Sequence, residues 1–364
     1  MKKILIVDDS SVIRHLLRSI VNDEDDMIVA EVAQDGEEAL DKLQASTFDL
    51  VVLDIEMPRL DGLETLKRIR RKDRRLPVIM FSTLTAHGAA ATLDALALGA
   101  SDYATKPEAS SIGEAVTTIR SQLVPKIRAL VGSNRQLSDA RAARPRRQRR
   151  PTRRQGRFEV VVIGVSTGGP NALAEVVPAL PERMPVPTLI VQHMPPVFTK
   201  LLAERLDQRS AVNVAEAESG VVPRPGEVWI APGGRHLVVS GARGSLVLET
   251  TEDPPENSCR PAADVLFRSA ATVCGSGVLA VVLTGMGQDG MEGARAVQQA
   301  GGSVMAQDAE SSIVWGMPGH VVEAGLADQV LPLSEVAETI VEQCGASGGV
   351  ALAAGRSSRG GNGS

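Results

Sequence analysis

The sequence predicts an α/β protein of two halves, each a doubly wound, mostly parallel sheet, the second interrupted by a β-hairpin excursion. Three observations predict it. Short apolar runs alternate with amphipathic helical patterns twice along the chain, and an arginine-rich run, RAARPRRQRRPTRRQGR at 141–157, separates the two alternations. Polar residues able to do chemistry recur where the apolar runs end, which in a parallel sheet is the carboxyl edge. The chain has 364 residues, enough for two ordinary domains.

In the first half KILIV, MIVAEV, DLVVLD, PVIMFS and DYATK read as five strands, with SVIRHLLRSIV and GLETLKRIRR among the helices between them. The strand ends carry Asp8, Asp9, Asp54, Ser82 and Lys106. Acids gathered at one sheet edge repel one another and suit a divalent cation. Mg²⁺ takes carboxylate oxygens and keeps waters for a phosphoryl group. Lys106, just before Pro107, is placed to meet an acyl phosphate on Asp54, and Ser82 to hydrogen-bond a phosphoryl oxygen. Singly, the acids read as caps or turn residues and Lys106 as a surface lysine. Their joint position at strand ends favours the phosphoacceptor reading.

LIVDDS, LDIEMPRLDG, the FST after the fourth strand and YATKP after the fifth resemble a response-regulator receiver domain, over residues 1–122. The resemblance implies that Asp54 accepts phosphate from a histidine kinase. It implies a Mg²⁺ held by Asp8, Asp9, Asp54 and the backbone carbonyl of Glu56, and a switch made of Ser82, Tyr103 and Lys106. Thr83, next to Ser82, is the alternative switch hydroxyl.

Residues 123–157 read as an interdomain linker, because the arginine-rich run has no acid and almost nothing apolar to bury. No aromatic residues interleave with it for base stacking, so no nucleic-acid partner is expected. Hydrophobic residues at 43%, charged residues at 23% and a net charge of −5 make a soluble globular balance. The longest apolar runs, such as VLAVVLTG at 278–285, are too short to span a bilayer, so no membrane insertion is expected. The N-terminus reaches acidic residues by Asp8, unlike a signal peptide. Cys259, Cys274 and Cys344 have neither metal-ligand spacing nor a paired framework and fit a reducing compartment, the cytoplasm. Residues 345–364 read as a flexible Gly/Ser-rich tail.

The second half, residues 158–344, alternates again. EVVVIGV, PTLIVQH, VNVAEA and VLAVVLTG read as strands, and LAEVVPAL, FTKLLAERL and AADVLFRSAATV as helices. EVWIAPGGRHLVV and SLVLET read as the hairpin excursion. The stretch VVIGVSTGGPNAL leads from a strand into Gly-x-Ser-x-Gly, where Ser166 is either a helix cap or a nucleophile. Partners at other strand ends favour the nucleophile: His193 closes LIVQH and Asp289 follows VVLTGMGQDG. Alone, His193 reads as a satisfied core or surface residue and Asp289 as a turn residue. The order Ser, His, Asp differs from the Ser, Asp, His of the α/β-hydrolases. Glycines on both sides permit close backbone approach and present N–H groups to an oxyanion.

GVSTGGP, VQHMPPVFT, WIAPGGRHL, RPAADVLF, LTGMGQDG and QDAESSIVWGMPG, within residues 160–320, resemble the catalytic domain of the chemotaxis protein-glutamate methylesterase family, and the order of parts matches. The resemblance implies Ser166 as nucleophile, His193 as general base then acid, Asp289 as orienting carboxylate and the Met286 backbone N–H as oxyanion donor. It implies methylated glutamates on the cytoplasmic helices of methyl-accepting chemoreceptors as substrate, with glutamine deamidation as a companion activity and no cofactor in this half. Cys259 stands where relatives often carry His. The receiver is expected to cover the edge bearing Ser166 until Asp54 is phosphorylated. Other readings are the same hydrolase in a chemosensory pathway that does not serve motility, a phosphorylation-dependent binding module without activity, or a transcriptional regulator. The last needs a DNA-reading element after the linker, where the sequence instead has a strand leading to GVSTGGP.

Overall fold

In the computed structural model, which describes residues 1–107, 111–142 and 158–345, the two alternations form two separate parallel sheets. In the first, β1 (Lys2–Val7), β2 (Met27–Ala33), β3 (Leu50–Asp54), β4 (Val78–Ser82) and β5 (Asp102–Thr105) lie in the order β2-β1-β3-β4-β5. Helices α1 (Ser11–Asn22), α2 (Gly36–Ala45), α3 (Gly62–Lys72), α4 (Ala86–Ala97) and α5 (Ile112–Ala142) cover it. Alternate strand residues bury opposite faces: Leu5, Val7, Val51 and Leu53 join α2 to α4, while Ile4, Ile6, Val52 and Phe81 join α1 and α5. Ser10, Asp35, Asp61 and Thr85 cap α1 to α4 by accepting first-turn N–H groups.

The boundary expected at residue 122 falls inside α5. Ile119, Leu123, Ile127 and Leu130 sit three or four apart, so one apolar stripe continues past 122 onto the sheet, and all four are buried. The segment expected as linker from residue 123 is therefore helical as far as Ala142. The arginine-rich residues 143–157 and the tail from 346 lie outside the described residues.

The second sheet has the order β14-β13-β12-β6-β7-β9-β8, with every pairing parallel. Its strands are β6 (Val160–Val165), β7 (Thr188–Gln192), β8 (Asn213–Glu216), β9 (Glu227–Ile230), β12 (Val278–Val282), β13 (Ser303–Gln307) and β14 (Gln329–Leu331). Helices α6 (Gly169–Val176), α7 (Pro196–Asp207) and α11 (Leu333–Cys344) pack on one face; α8 (Ala263–Cys274), α9 (Met291–Gln299) and α10 (Met317–Glu323) pack on the other. The excursion is smaller than expected. The EVWI piece is β9, whose Val228 and Ile230 are buried between β7 and β8; only β10 (His236–Ala242) and β11 (Ser245–Thr251) form the hairpin. Among the described residues no helix is long and apolar enough to cross a membrane.

The halves share a core. Tyr103 of β5 stacks on Phe198 of α7, with ring centroids 4.7 Å apart and planes 9° from parallel. Arg205 of α7 pairs with Asp94 at 2.9 Å and donates to the Ala90 carbonyl at 2.7 Å. Val314 and Met286, from loops at the carboxyl edge of the second sheet, pack into the cluster formed by α1, α5 and the first sheet.

Leu123→Ala and Ile127→Ala are each expected to destabilise the full chain by about 2–4 kcal/mol in denaturant unfolding, as core truncations do. A loss below about 0.5 kcal/mol for both, the ordinary cost at an exposed site, would place these residues in a solvated linker after all.

Candidate active site and phosphoacceptor site

Three neighbouring strands, β12, β6 and β7, bring Ser166, His193 and Asp289 to one edge. Val165 pairs with Gln192, so the next residues, Ser166 and His193, leave adjacent strands side by side. Ser166 N–H donates to the Thr284 carbonyl at 3.0 Å, His193 N–H to the Val165 carbonyl at 3.3 Å, and the Gln192 amide to the Ser166 carbonyl at 3.1 Å. These bonds hold the Ser166 backbone while leaving its side chain half-buried. Ser166 is not the helix cap. That place belongs to Gly168, in the left-handed region at φ 78, which makes no side-chain bond. A Cβ on Gly285 would stand 2.9 Å from Ser166 Cβ and 2.3 Å from Met317 Sδ, so the β12 loop approaches Ser166 only because residue 285 is glycine. Met286, the expected oxyanion donor, follows it at the rim, half-buried.

His193 Nε2 lies 2.7 Å from Asp289 Oδ2. That oxygen also accepts the Ala263 N–H at 2.6 Å, and Oδ1 accepts the Asp264 N–H at 3.0 Å. The carboxylate thus sits on the first turn of α8, where the N–H groups and the helix dipole favour negative charge. Burial pushes the Asp289 pKa up, but the His193 imidazole and these N–H groups outweigh it and hold the carboxyl below its usual range. An ionised carboxylate only accepts, so Nε2 donates and Nδ1 is left as the basic nitrogen. Burial opposes charge on His193, yet Asp289, with Cys259 beside it, prevails and raises the imidazole above its ordinary value. Nδ1 faces the Cys259 thiol at 3.5 Å rather than the Ser166 hydroxyl.

Several participants were not singled out from the sequence. Asn257 donates to both Asp264 and Asp289, and Asp264 is buried at the start of α8, inside a stretch that reads as plain helix. The Thr284 hydroxyl accepts the Val314 N–H at 3.0 Å and reaches the Thr167 carbonyl at 3.0 Å, tying three loops of the edge together. Thr167, beside Ser166, donates its hydroxyl to Asp102 of the first half at 2.7 Å. Only contact across the two sheets exposes that bond. No local pattern announces it.

In the first half the strand ends meet as expected. Lys106 Nζ lies 2.8 Å from Asp54 and 3.1 Å from Asp8. Carboxylate oxygens of Asp8, Asp9 and Asp54 all fall within 4.8 Å of one another. A cavity of 550 Å³ opens beside them, lined by Asp9, Glu56, Met57 and His87. Ser82 is buried, its hydroxyl on the Gly88 carbonyl at 3.1 Å, whereas Thr83 bonds Thr85 nearer the surface. Burial, then repulsion from Asp8, pushes Asp54 up to about 6 against the pull of Lys106. Two buried acids sharing one lysine fit a divalent cation: its charge would offset what Lys106 leaves uncompensated.

Because the folded carboxyl of Asp54 holds its proton more tightly than the unfolded one, its contribution to stability declines as pH rises through the interval up to about 6. Mg²⁺ is therefore expected to raise the melting temperature by about 2–4 °C near neutral pH and by less near pH 5. Asp54→Asn is expected to raise the metal-free value near neutral pH and to remove most of the Mg²⁺ response. Equal Mg²⁺ responses in both proteins, measured calorimetrically, would count against this site.

Residues 161–340 match the family model of the CheB methylesterase, and residues 4–117 match that of the response regulator receiver domain. A protein-glutamate methylesterase/protein-glutamine glutaminase of Trichodesmium erythraeum is 49% identical over 350 residues, covering 94% of this chain and 99% of its own. One from a Nocardioides species is 47% identical, covering 94% of this chain and 95% of its own. The CheB methylesterase catalytic domain of Thermotoga maritima, a solved structure, covers 51% of this chain and 99% of its own at 45% identity and a TM-score of 0.50. With both halves matched and the full order of parts shared, the chain belongs to the CheB methylesterase family, an ester-hydrolase family, with a receiver domain ahead of its catalytic domain.

Proposed function

We propose that this chain hydrolyses glutamate methyl esters on the cytoplasmic helices of methyl-accepting chemoreceptors, and deamidates glutamines there, under control of phosphorylation at Asp54. The observation that carries the reading is the His193–Asp289 bond of 2.7 Å at a strand end whose neighbour in register is Ser166. A hydroxyl nucleophile needs a basic nitrogen beside it and a group to fix that base's tautomer; Asp289 is the fixing group, and the register sets the His193 strand end next to that of Ser166.

Ser166 Oγ attacks the γ-carbonyl carbon of the ester while its proton passes to His193 Nδ1, displacing the weak thiol contact of Cys259. The imidazolium is held by Asp289 through Nε2–H. The carbonyl oxygen takes up the negative charge at the Met286 N–H. Collapse expels methoxide, which takes the proton from Nδ1 and leaves as methanol. Water then gives a proton to Nδ1 and its oxygen to the acyl carbon, and Ser166 recovers its proton as the free glutamate departs. An amide follows the same course with ammonia as the leaving group. No step asks for a cofactor in this half.

A histidine kinase supplies the phosphoryl group to Asp54. Bound by Asp8, Asp9, Asp54 and the Glu56 carbonyl, Mg²⁺ would offset the charge of that group. The kinase and receptor helices place the chain's work in the cytoplasm. The receiver restrains the hydrolytic edge in the resting state. Its support is the Thr167–Asp102 bond beside Ser166, the Tyr103–Phe198 stack, and the packing of Met286 and Val314 under the receiver core. Lys106 and Ser82 are the groups that respond to charge on Asp54, and Tyr103, on the strand that Lys106 follows, carries the response to Phe198.

Methanol release from a methylated chemoreceptor fragment is expected to rise with a small phosphodonor and to fall roughly a thousandfold or more in Ser166→Ala. Asp54→Asn should keep the resting rate and ignore the donor. Donor-dependent release from Asp54→Asn would move the phosphoacceptor elsewhere. Loss of the aromatic stack in Tyr103→Ala, worth about 1 kcal/mol, should raise the unphosphorylated rate roughly fivefold. A resting rate that stays at the wild-type level would argue against restraint through this contact.

A further inference from the structure

The segment between the hairpin and α8 makes a tight turn. Glu256 and Cys259 exchange two main-chain hydrogen bonds, of 3.1 and 2.8 Å, around Asn257 and Ser258. Both central residues are left-handed, at φ 51 and φ 62, in a pair of positions that favours Asn and Gly. Arg268 of α8 grips Glu256 through two bonds, of 2.6 and 2.5 Å, and anchors the turn. The turn aims the Asn257 amide between two carboxylates: Nδ2 is 2.9 Å from Asp264 Oδ2 and 3.2 Å from Asp289 Oδ1. Both aspartates are 2% exposed.

Two buried acids so close repel each other, and burial with Asp289 nearby pushes Asp264 up to about 6. Asp264 has its own N–H partner, Gly293 of α9 at 2.6 Å. The charged and titratable groups facing the pair are His193 from β7, Arg268 from α8 and Glu256 from the turn, with Cys259 on the far side of the imidazole. None of them bridges the two acids. Asn257 does, and an amide nitrogen with two protons can donate to each at once without adding charge.

We propose that Asn257 is a positioning residue of the hydrolytic site: by donating to Asp264 and Asp289 together it keeps the Asp289 carboxylate ionised and aligned on His193 Nε2 despite a second buried acid. This rests on the Ser166–His193–Asp289 reading above. Nothing is asked of Asn257 at the substrate. Its effect reaches the reaction through Asp289, and so appears in the chemical step and its pH dependence.

The test compares full-length Asn257→Gly, Asn257→Asp and the exchange Asn257→Asp with Asp264→Asn, beside Ser166→Ala. Glycine accepts the left-handed backbone and removes only the amide. Aspartate keeps the shape but adds a third carboxylate. Methanol release from a methylated receptor fragment is followed across pH, with melting curves to confirm folding. Asn257→Gly should lose about 10- to 100-fold in kcat, the usual effect of one buried bond to a charged group, with little change in KM. In Asn257→Asp the extra negative charge favours the imidazolium, and the base must be neutral to act. The acid limb of kcat/KM should therefore move up by about one pH unit. The exchange should return that limb toward its wild-type place.

Folded variants with wild-type kcat, or with a uniform loss and an unmoved acid limb, would overturn the proposal. If Asn257→Asp does not fold, kcat of Asn257→Gly decides alone, and a value within about twofold of wild type overturns it. Undiminished release by Ser166→Ala would instead bring down the triad reading, and this inference with it. A dead Ser166→Ala beside unaltered Asn257 variants removes this inference only.

Discussion

The parallel register of β6 against β7, with Val165 opposite Gln192, is what the edge bearing Ser166 and His193 depends on. Side chains alternate along a strand, so a slip of one residue would turn every apolar side chain of β6 from one helical layer to the other. The register is held because Val161, Ile163 and Val165 fill the layer under α6 and α7 while Val160 and Val162 fill the layer under α8. Apolar packing on two faces therefore sets where the backbone delivers Ser166 and His193. Asp289 comes from the strand on the other side of β6, at the point where the chain reverses its direction of travel across the sheet.

Each half of the molecule gathers two buried carboxylates, and the two halves resolve the repulsion differently. Asp8 and Asp54 share the Lys106 ammonium, which leaves a net negative charge and room for a cation. Asp264 and Asp289 receive backbone N–H groups from α8 and α9 and a neutral amide from Asn257, with one oxygen of Asp289 turned to His193. The first arrangement suits a site whose charge changes when phosphate arrives. The second suits a carboxylate that must stay ionised in one orientation throughout a reaction.

The two sites are joined through β5. Lys106 follows its end, Tyr103 stacks on α7, and Asp102 accepts the hydroxyl of Thr167 beside the proposed nucleophile. Lys126 also reaches Asp102, at 3.0 Å, so α5 and the turn after β6 hold the same carboxylate. A shift of this four-residue strand then changes contacts on a neighbouring domain without any long relay, provided that the interface has two discrete packings.

The sequence alone determined the two alternations, the parallel sheets and the acids, lysine, serine and histidine at their ends. Those properties follow from local periodicity and from the rule that parallel strands present their functional groups at one edge. It read residues 123–142 as linker, whereas they continue a helix whose apolar stripe acquires meaning only against the sheet. It also put EVWI in the hairpin, although buried partners on both sides draw that piece into the main sheet as β9. Tertiary structure decided which nitrogen of His193 faces Asp289, that Gly168 rather than Ser166 caps α6, and that Asn257 bridges Asp264 and Asp289. It alone joined Asp102 to Thr167. The reason is physical: periodicity is written in neighbours along the chain, whereas hydrogen bonds and charge compensation are made by groups that only folding brings together.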